Sequence, residues 1–265
     1  MKNELVVYKN DFNQIPLKSF KSVELDLLFS IMSQMRDKGL TSVELTFEQL
    51  KSLSKYNNSN ATKEFVKDLE STYDKLIHLD VKIGDDRKFT KFVFFTEYTI
   101  DSDKHTVTIC VNERFSHLIN ELTGSFTKLE LDEVTSLSSS YAKNGYRLLK
   151  QYRSTGYATF WLDEFKKLMD VPDSYNYGNI NLRVLKPIEK ELPKYFPNLK
   201  IHRIKGKGKD KRKVVRLEFT FLNDDGLSKG NRTFRSEDGT YYEKYITDFT
   251  EEEIKKAYPE TSKKD

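Results

Sequence analysis

The chain has 265 residues, of which 32% are charged and 37% apolar, and a formal net charge of +4. This length exceeds one typical small domain and the aromatics suffice to fill two cores, which excludes a chain too polar to fold. No apolar run can cross a membrane, no charged-then-apolar leader follows Met1, and Cys110 has no partner for a disulfide, so a cytoplasmic protein is expected.

Residues 1–20 combine a short apolar run at 5–8 with polar residues and Pro16, and read as an N-terminal arm. A first domain is expected over 21–155. Its opening helix carries Leu25, Leu28, Phe29, Met32 and Met35 at a spacing that lines one face, with Gly39 just beyond. Val43, Glu44 and Leu45 form a short strand. From Thr46 to Gln49 the residues fit a capping box, in which each side chain satisfies an orphan amide, so a helix starts there with Leu50 and Leu53 inward. Asn57, Asn58, Ser59 and Asn60 supply turn and cap residues before a second amphipathic helix marked by Phe65, Val66, Leu69, Tyr73 and Leu76. Two alternating segments, 79–83 and 91–100, are joined by a polar turn and followed by a strand over 105–111. This order describes a winged helix. Asn58, Ser59, Asn60 and Lys63 would form its groove-facing tip, and Lys82, Arg87, Lys88 and Lys91 its wing. Asn112 is expected to cap a short helix through Ile119. A longer helix is expected from about Asp132 to Tyr152, weakened by Gly145 and ending near Ser154-Thr155-Gly156, as a possible rigid connector.

A second domain is expected over 156–222. A strand at Ala158-Thr159-Phe160 leads to a helix around Phe165, a polar turn, a helix carrying Tyr177, Asn179, Asn181, Arg183 and Lys186, and a two-stranded ribbon. A helix-turn-helix sets its second helix in the major groove, where asparagine pairs with adenine and arginine with guanine, while a basic hairpin grips phosphates. Asn179 has a competing role as a helix cap. Ile180 and Arg183 are both expected to stand clear of other protein, and Pro187 to bend the helix. Residues 200–216 hold nine Lys or Arg against the single acid Asp210. Lys205, Lys207, Lys209, Lys211 and Arg212 are therefore read as a wing tip facing a polyanion. Their glycines lack phosphate-loop spacing and fall between two strands, which argues against nucleotide binding. Trp161 is read as a core anchor. Both halves repeat one element order, so the fold class is α+β with two tandem winged helices, able to contact successive grooves of duplex DNA.

Catalytic chemistry finds little support. His78, His105, His117 and His202 are scattered and no second cysteine exists, so neither a metal site nor a cofactor is expected. A nicking tyrosine would need a metal-binding histidine pair nearby. The tail, 223–265, holds eleven acids and eight bases, which leaves the first 222 residues at about +7. Residues 228–239 read as linker. Thr250-Glu251-Glu252-Glu253 would open a short helix, in a tail that either docks a partner or folds back.

The order of elements, together with the strings Tyr146 to Gly156 (YRLLKQYRSTG), Phe165 to Met169 (FKKLM), Tyr175, and Val184-Leu185-Lys186-Pro187-Ile188, resembles the iteron-binding, theta-type plasmid replication initiators over about residues 1–222. The resemblance implies a protein that binds directly repeated origin sequences as a monomer, helps open an adjacent AT-rich stretch, and recruits a host initiator and helicase. It also implies dimers, joined largely through the first domain, that repress their own promoter. The segment around Arg183 carries fewer Lys and Arg than is usual in that family. A winged-helix transcriptional regulator is the nearest alternative, and a rolling-circle nicking initiator a more distant one.

Overall fold

The computed structural model describes residues 4–17, 20–35, 42–57, 61–78, 80–84, 87–113, 126–208, 211–224, 231–235 and 241–245. The chain divides into two units, Met1–Arg147 and Leu148–Asp265.

In the first unit the described elements run β1 (Leu5–Lys9), α1 (Ser22–Met35), β2 (Ser42–Thr46), α2 (Phe47–Leu53), α3 (Ala61–Ile77), β3 (Asp80–Gly84), β4 (Phe89–Val93), β5 (Phe95–Asp101), β6 (Thr106–Val111), β7 (Phe126–Glu130), α4 (Leu131–Thr135) and the start of α5 (Ser140–Lys150). The capping box forms as its spacing requires: the Gln49 amide N–H donates to Thr46 Oγ1 at 3.1 Å and the Thr46 N–H to Gln49 Oε1 at 2.8 Å. Strands β2, β6 and β5 make an antiparallel sheet in that spatial order, and alternation along β2 turns Val43 and Leu45 inward. Leu25, Leu28, Phe29 and Met32 of α1 are buried, as are Phe65, Leu69, Tyr73 and Leu76 of α3. Helix α1 is in fact buried on every side, because its serines satisfy themselves: Ser30 donates to the Asp26 carbonyl and Ser33 to the Ser30 carbonyl, both at 2.7 Å.

Several expectations are corrected here. Residues 1–20 are no separate arm, since β1 pairs antiparallel with β7 and Val6, Tyr8 and Phe12 are core. Tyr8 donates to Asn13 Oδ1 at 3.1 Å, and Asn13 to Thr127 Oγ1 at 3.0 Å, which closes a buried polar chain between these segments. The helix expected from Asp132 to Tyr152 is two helices. Hydroxyls divide them: Ser136 donates to the Asp132 carbonyl at 2.6 Å, while Ser139 accepts from the Ala142 N–H at 3.4 Å, so one helix is closed and the next capped. In α5, Lys143 is 0% exposed and donates to Asp26 at 2.5 Å and to the Val134 carbonyl at 2.9 Å. Arg147, also buried, donates to the carbonyls of Phe12 and Ile15 at 2.9 and 3.1 Å. The segment 91–100 breaks at the buried Phe94 into β4, paired with β3 as a separate ribbon, and β5 of the main sheet. The helix expected at Asn112–Ile119 lies, beyond Glu113, outside the described residues.

The second unit repeats the plan. After the end of α5, Gly156 takes a left-handed φ of 67°, its N–H bonding the Tyr152 carbonyl at 2.9 Å, and the chain reverses into β8 (Tyr157–Trp161). The division between the two compact units falls inside α5. There follow α6 (Leu162–Leu168), α7 (Tyr177–Ile180), α8 (Lys186–Glu191), β9 (Lys200–Lys205) and β10 (Val214–Thr220). Their sheet runs β8-β10-β9, again first, last, middle strand, so the architecture is two tandem winged helices in an α+β chain. Phe165 and Phe160 pack on Phe219 with ring centroids 5.7 and 6.0 Å apart. Asn223 seals the end by donating to the Ser154 carbonyl at 3.1 Å. Beyond it, β11 (Asn231–Arg235) pairs with β12 (Tyr241–Tyr245), so part of the expected linker is strand. The helix expected at Thr250 lies outside the described residues.

Candidate nucleic-acid interface

In the second unit the helix expected to face the groove is one helical run in three parts. Asn176, not Asn179, is its cap: the Asn176 side-chain oxygen accepts from the Asn179 N–H at 3.0 Å. Between α7 and α8 lies a π turn, Asn181–Leu185, in which the Lys186 N–H reaches the Asn181 carbonyl five residues back. Pro187 explains it, because a proline ring collides with the carbonyl four residues earlier, here that of Arg183, and the wider turn moves the two apart. The expected bend is thus a widened turn just before the proline.

That turn sorts the side chains. Ile180, Val184, Leu185 and Ile188 are buried, so Ile180, at 2% exposure, is core and not part of the reading face. Arg183 is exposed as expected, and so are Leu182 and Lys186, with Asn179 half-buried beside them. Arg183 is held in place: its Nη1 donates to the Tyr175 hydroxyl at 3.2 Å and its guanidinium lies over the Tyr175 ring at 5.4 Å. Asn181 is drawn elsewhere. Arg203 of β9 donates to Asn181 Oδ1 at 3.0 Å and to Glu189 at 2.8 Å, while the Tyr177 hydroxyl is buried. Burial opposes the Arg203 charge, but the Glu189 carboxylate outweighs it and raises the Arg203 pKa. Asn181 therefore ties the helix to the sheet.

The β9–β10 hairpin is the wing. The Gly206 N–H bonds the Lys213 carbonyl at 3.0 Å, and Gly208 turns the chain with a φ of 57° and open space around it. Lys205, Lys207, Lys211 and Arg212 are all exposed around that tip, and Lys209 lies outside the described residues. At the base of the wing Trp161 is 61% exposed with the Arg216 guanidinium 5.8 Å from its ring. It is not a core anchor, because the two-residue alternation of β8 sends Ala158 and Phe160 inward and Thr159 and Trp161 out.

The first unit places its cations differently. Lys63 is exposed on the first turn of α3, whereas Asn58, Ser59 and Asn60 lie outside the described residues. Arg87 and Lys88 are exposed at the tip of the β3–β4 ribbon, which stands apart from the main sheet; Lys91 is on β4, and Lys82 on β3. The hairpin that matches the second unit's wing in topology is β5–β6. Its tip carries Asp101, Asp103 and Lys104, and the Lys104 N–H, at 2.9 Å, heads the contacts that hold the Asp101 pKa below the usual carboxylate value. Among the described residues there is no group of His, Cys, Asp or Glu able to hold a metal, and no helix long and apolar enough to cross a membrane.

Comparison with known proteins matches both units. The family described as "Initiator Replication protein, WH1" covers residues 5–150, and "Initiator Rep protein, WH2" covers residues 162–221. A protein of Bifidobacterium longum (strain NCC 2705), "Probable replication protein rep", is 38% identical over 226 residues, covering 84% of this chain and 74% of the relative. Among solved structures, a Pi initiator protein in complex with iteron DNA shares the fold with a TM-score of 0.65 at 17% identity, over 84% of this chain and 99% of that one. With both winged helices matched in order, the chain belongs to the initiator replication protein family.

Proposed function

We propose that this protein is a plasmid replication initiator that binds directly repeated duplex DNA at a replication origin in the cytoplasm and acts without catalysis. One observation carries the reading: in the second unit, a helix face bearing Asn179, Arg183 and Lys186 and a hairpin tip bearing Lys205, Lys207, Lys211 and Arg212 are both open to solvent. A cationic hairpin fixes a module on phosphates, and a helix with a braced arginine selects bases. The family supports the role, and the initiator solved with iteron DNA supports direct repeats as the ligand. Binding to the repeats then assists opening of an adjacent AT-rich stretch and recruits the host initiator and helicase. A monomer-dimer equilibrium lets the dimer repress the protein's own promoter.

Footprinting the full chain on DNA carrying its gene tests this reading. Protection recurring over short direct repeats beside an AT-rich segment is the expected result. Protection of a lone inverted repeat would indicate a transcriptional regulator instead, and a metal-dependent nick in supercoiled DNA would overturn the absence of catalysis.

A further inference from the structure

Leu182 is 56% exposed on the helix that also presents Arg183, while its neighbours Ile180 and Val184 are buried. A single exposed leucine is ordinary on a protein surface, so its exposure alone means little. Its position means more. Asn181 is engaged by Arg203 at 3.0 Å, and Arg183 is oriented by the Tyr175 hydroxyl at 3.2 Å. Leu182 is thus an exposed apolar group set between a half-buried side chain held by Arg203 and an exposed one held by Tyr175, near the exposed Lys186. The cations around it favour a polyanion over an apolar protein surface. In the major groove of DNA, the apolar feature that a base edge displays is the 5-methyl group of thymine.

We infer that Leu182 is a specificity-determining residue that contacts the 5-methyl group of a thymine in the major groove, near the base contacted by Arg183. The inference rests on the DNA-binding reading above and adds the chemical group that this side chain selects. Desolvating one methyl against leucine corresponds to about a fourfold difference in affinity.

The full chain is used to select a duplex from a random-sequence library, and each thymine of that duplex is then replaced in turn by deoxyuridine, which removes the methyl and leaves the pairing edge intact. At one position the wild-type chain is expected to bind about fourfold more weakly to the uracil duplex. Leu182→Ala and Leu182→Gln, at an exposed site, are expected to lose that discrimination and bind both duplexes alike. The inference is overturned if the wild type tolerates uracil everywhere, or if both variants keep the wild-type sensitivity. If no duplex is selected at all, the DNA-binding reading itself fails, and this inference with it.

Discussion

The first winged helix buries two of its long cations, Lys143 against Asp26 and Arg147 against two backbone carbonyls; the second crowds Lys205, Lys207, Lys211 and Arg212 onto an open hairpin tip. The hairpins that correspond in topology differ in the same sense, with Asp101 and Asp103 at one tip and lysines at the other. One strand order thus serves two electrostatic designs. A buried cation must be paired and contributes to packing, whereas an exposed cluster of one sign repels itself until a polyanion arrives. On the proposed function, the second module is expected to make the main grip on DNA.

The largest effect should come from the buried pair. Lys143→Met leaves Asp26 without its partner and is expected to destabilise the first unit by about 3 to 5 kcal/mol, measured by urea unfolding. A stability loss below about 1 kcal/mol would mean that the two modules do not differ as described. Next, Arg183→Ala should weaken binding by about 1 to 3 kcal/mol and relax the preference at one base pair, with the unfolding midpoint unchanged. Gel shifts on a panel of single-base variants would read this, and an unaltered preference would remove Arg183 from the base-reading set. Neutralising Lys207 and Lys211 to Gln should weaken all sequences alike and flatten the slope of log affinity against log salt by about 2, at roughly 0.9 per phosphate contact. The same change at Arg87 and Lys88 should flatten it less; an equal or larger change there would reverse the ranking of the modules. The smallest effect is expected for Tyr175→Phe, which keeps the ring under Arg183 and loses only the hydroxyl contact, at about 0.5 to 1.5 kcal/mol of binding.

Much of the architecture was legible because it is written in short-range rules. The capping box at Thr46 and Gln49, the buried spacing of Leu25, Leu28 and Met32, and the basic run between two strands each need only a few neighbouring residues to be read. The candidate site was legible in outline for the same reason, since helix and wing lie close together in sequence. Its details were not. Asn181 and Arg183 are two residues apart and look interchangeable as base readers, yet one is claimed by Arg203 from a distant strand and the other by Tyr175. The signal that could have separated them is Pro187, whose ring demands a wider turn and so changes which positions face out.

The sequence by itself determined the repeated order of helix, strand, helix, helix and hairpin and the basic tip of the second unit's hairpin, because periodicity, capping and local composition act within one or two turns of chain. Only the tertiary structure decided that β1 completes the first core by pairing with β7, that Lys143 and Arg147 lie inside, that Ile180 is core while Trp161 is exposed, and that Asn181 is held by Arg203. Those outcomes depend on which distant surfaces meet, and a charge or an aromatic ring is held or released according to the partners that packing brings to it.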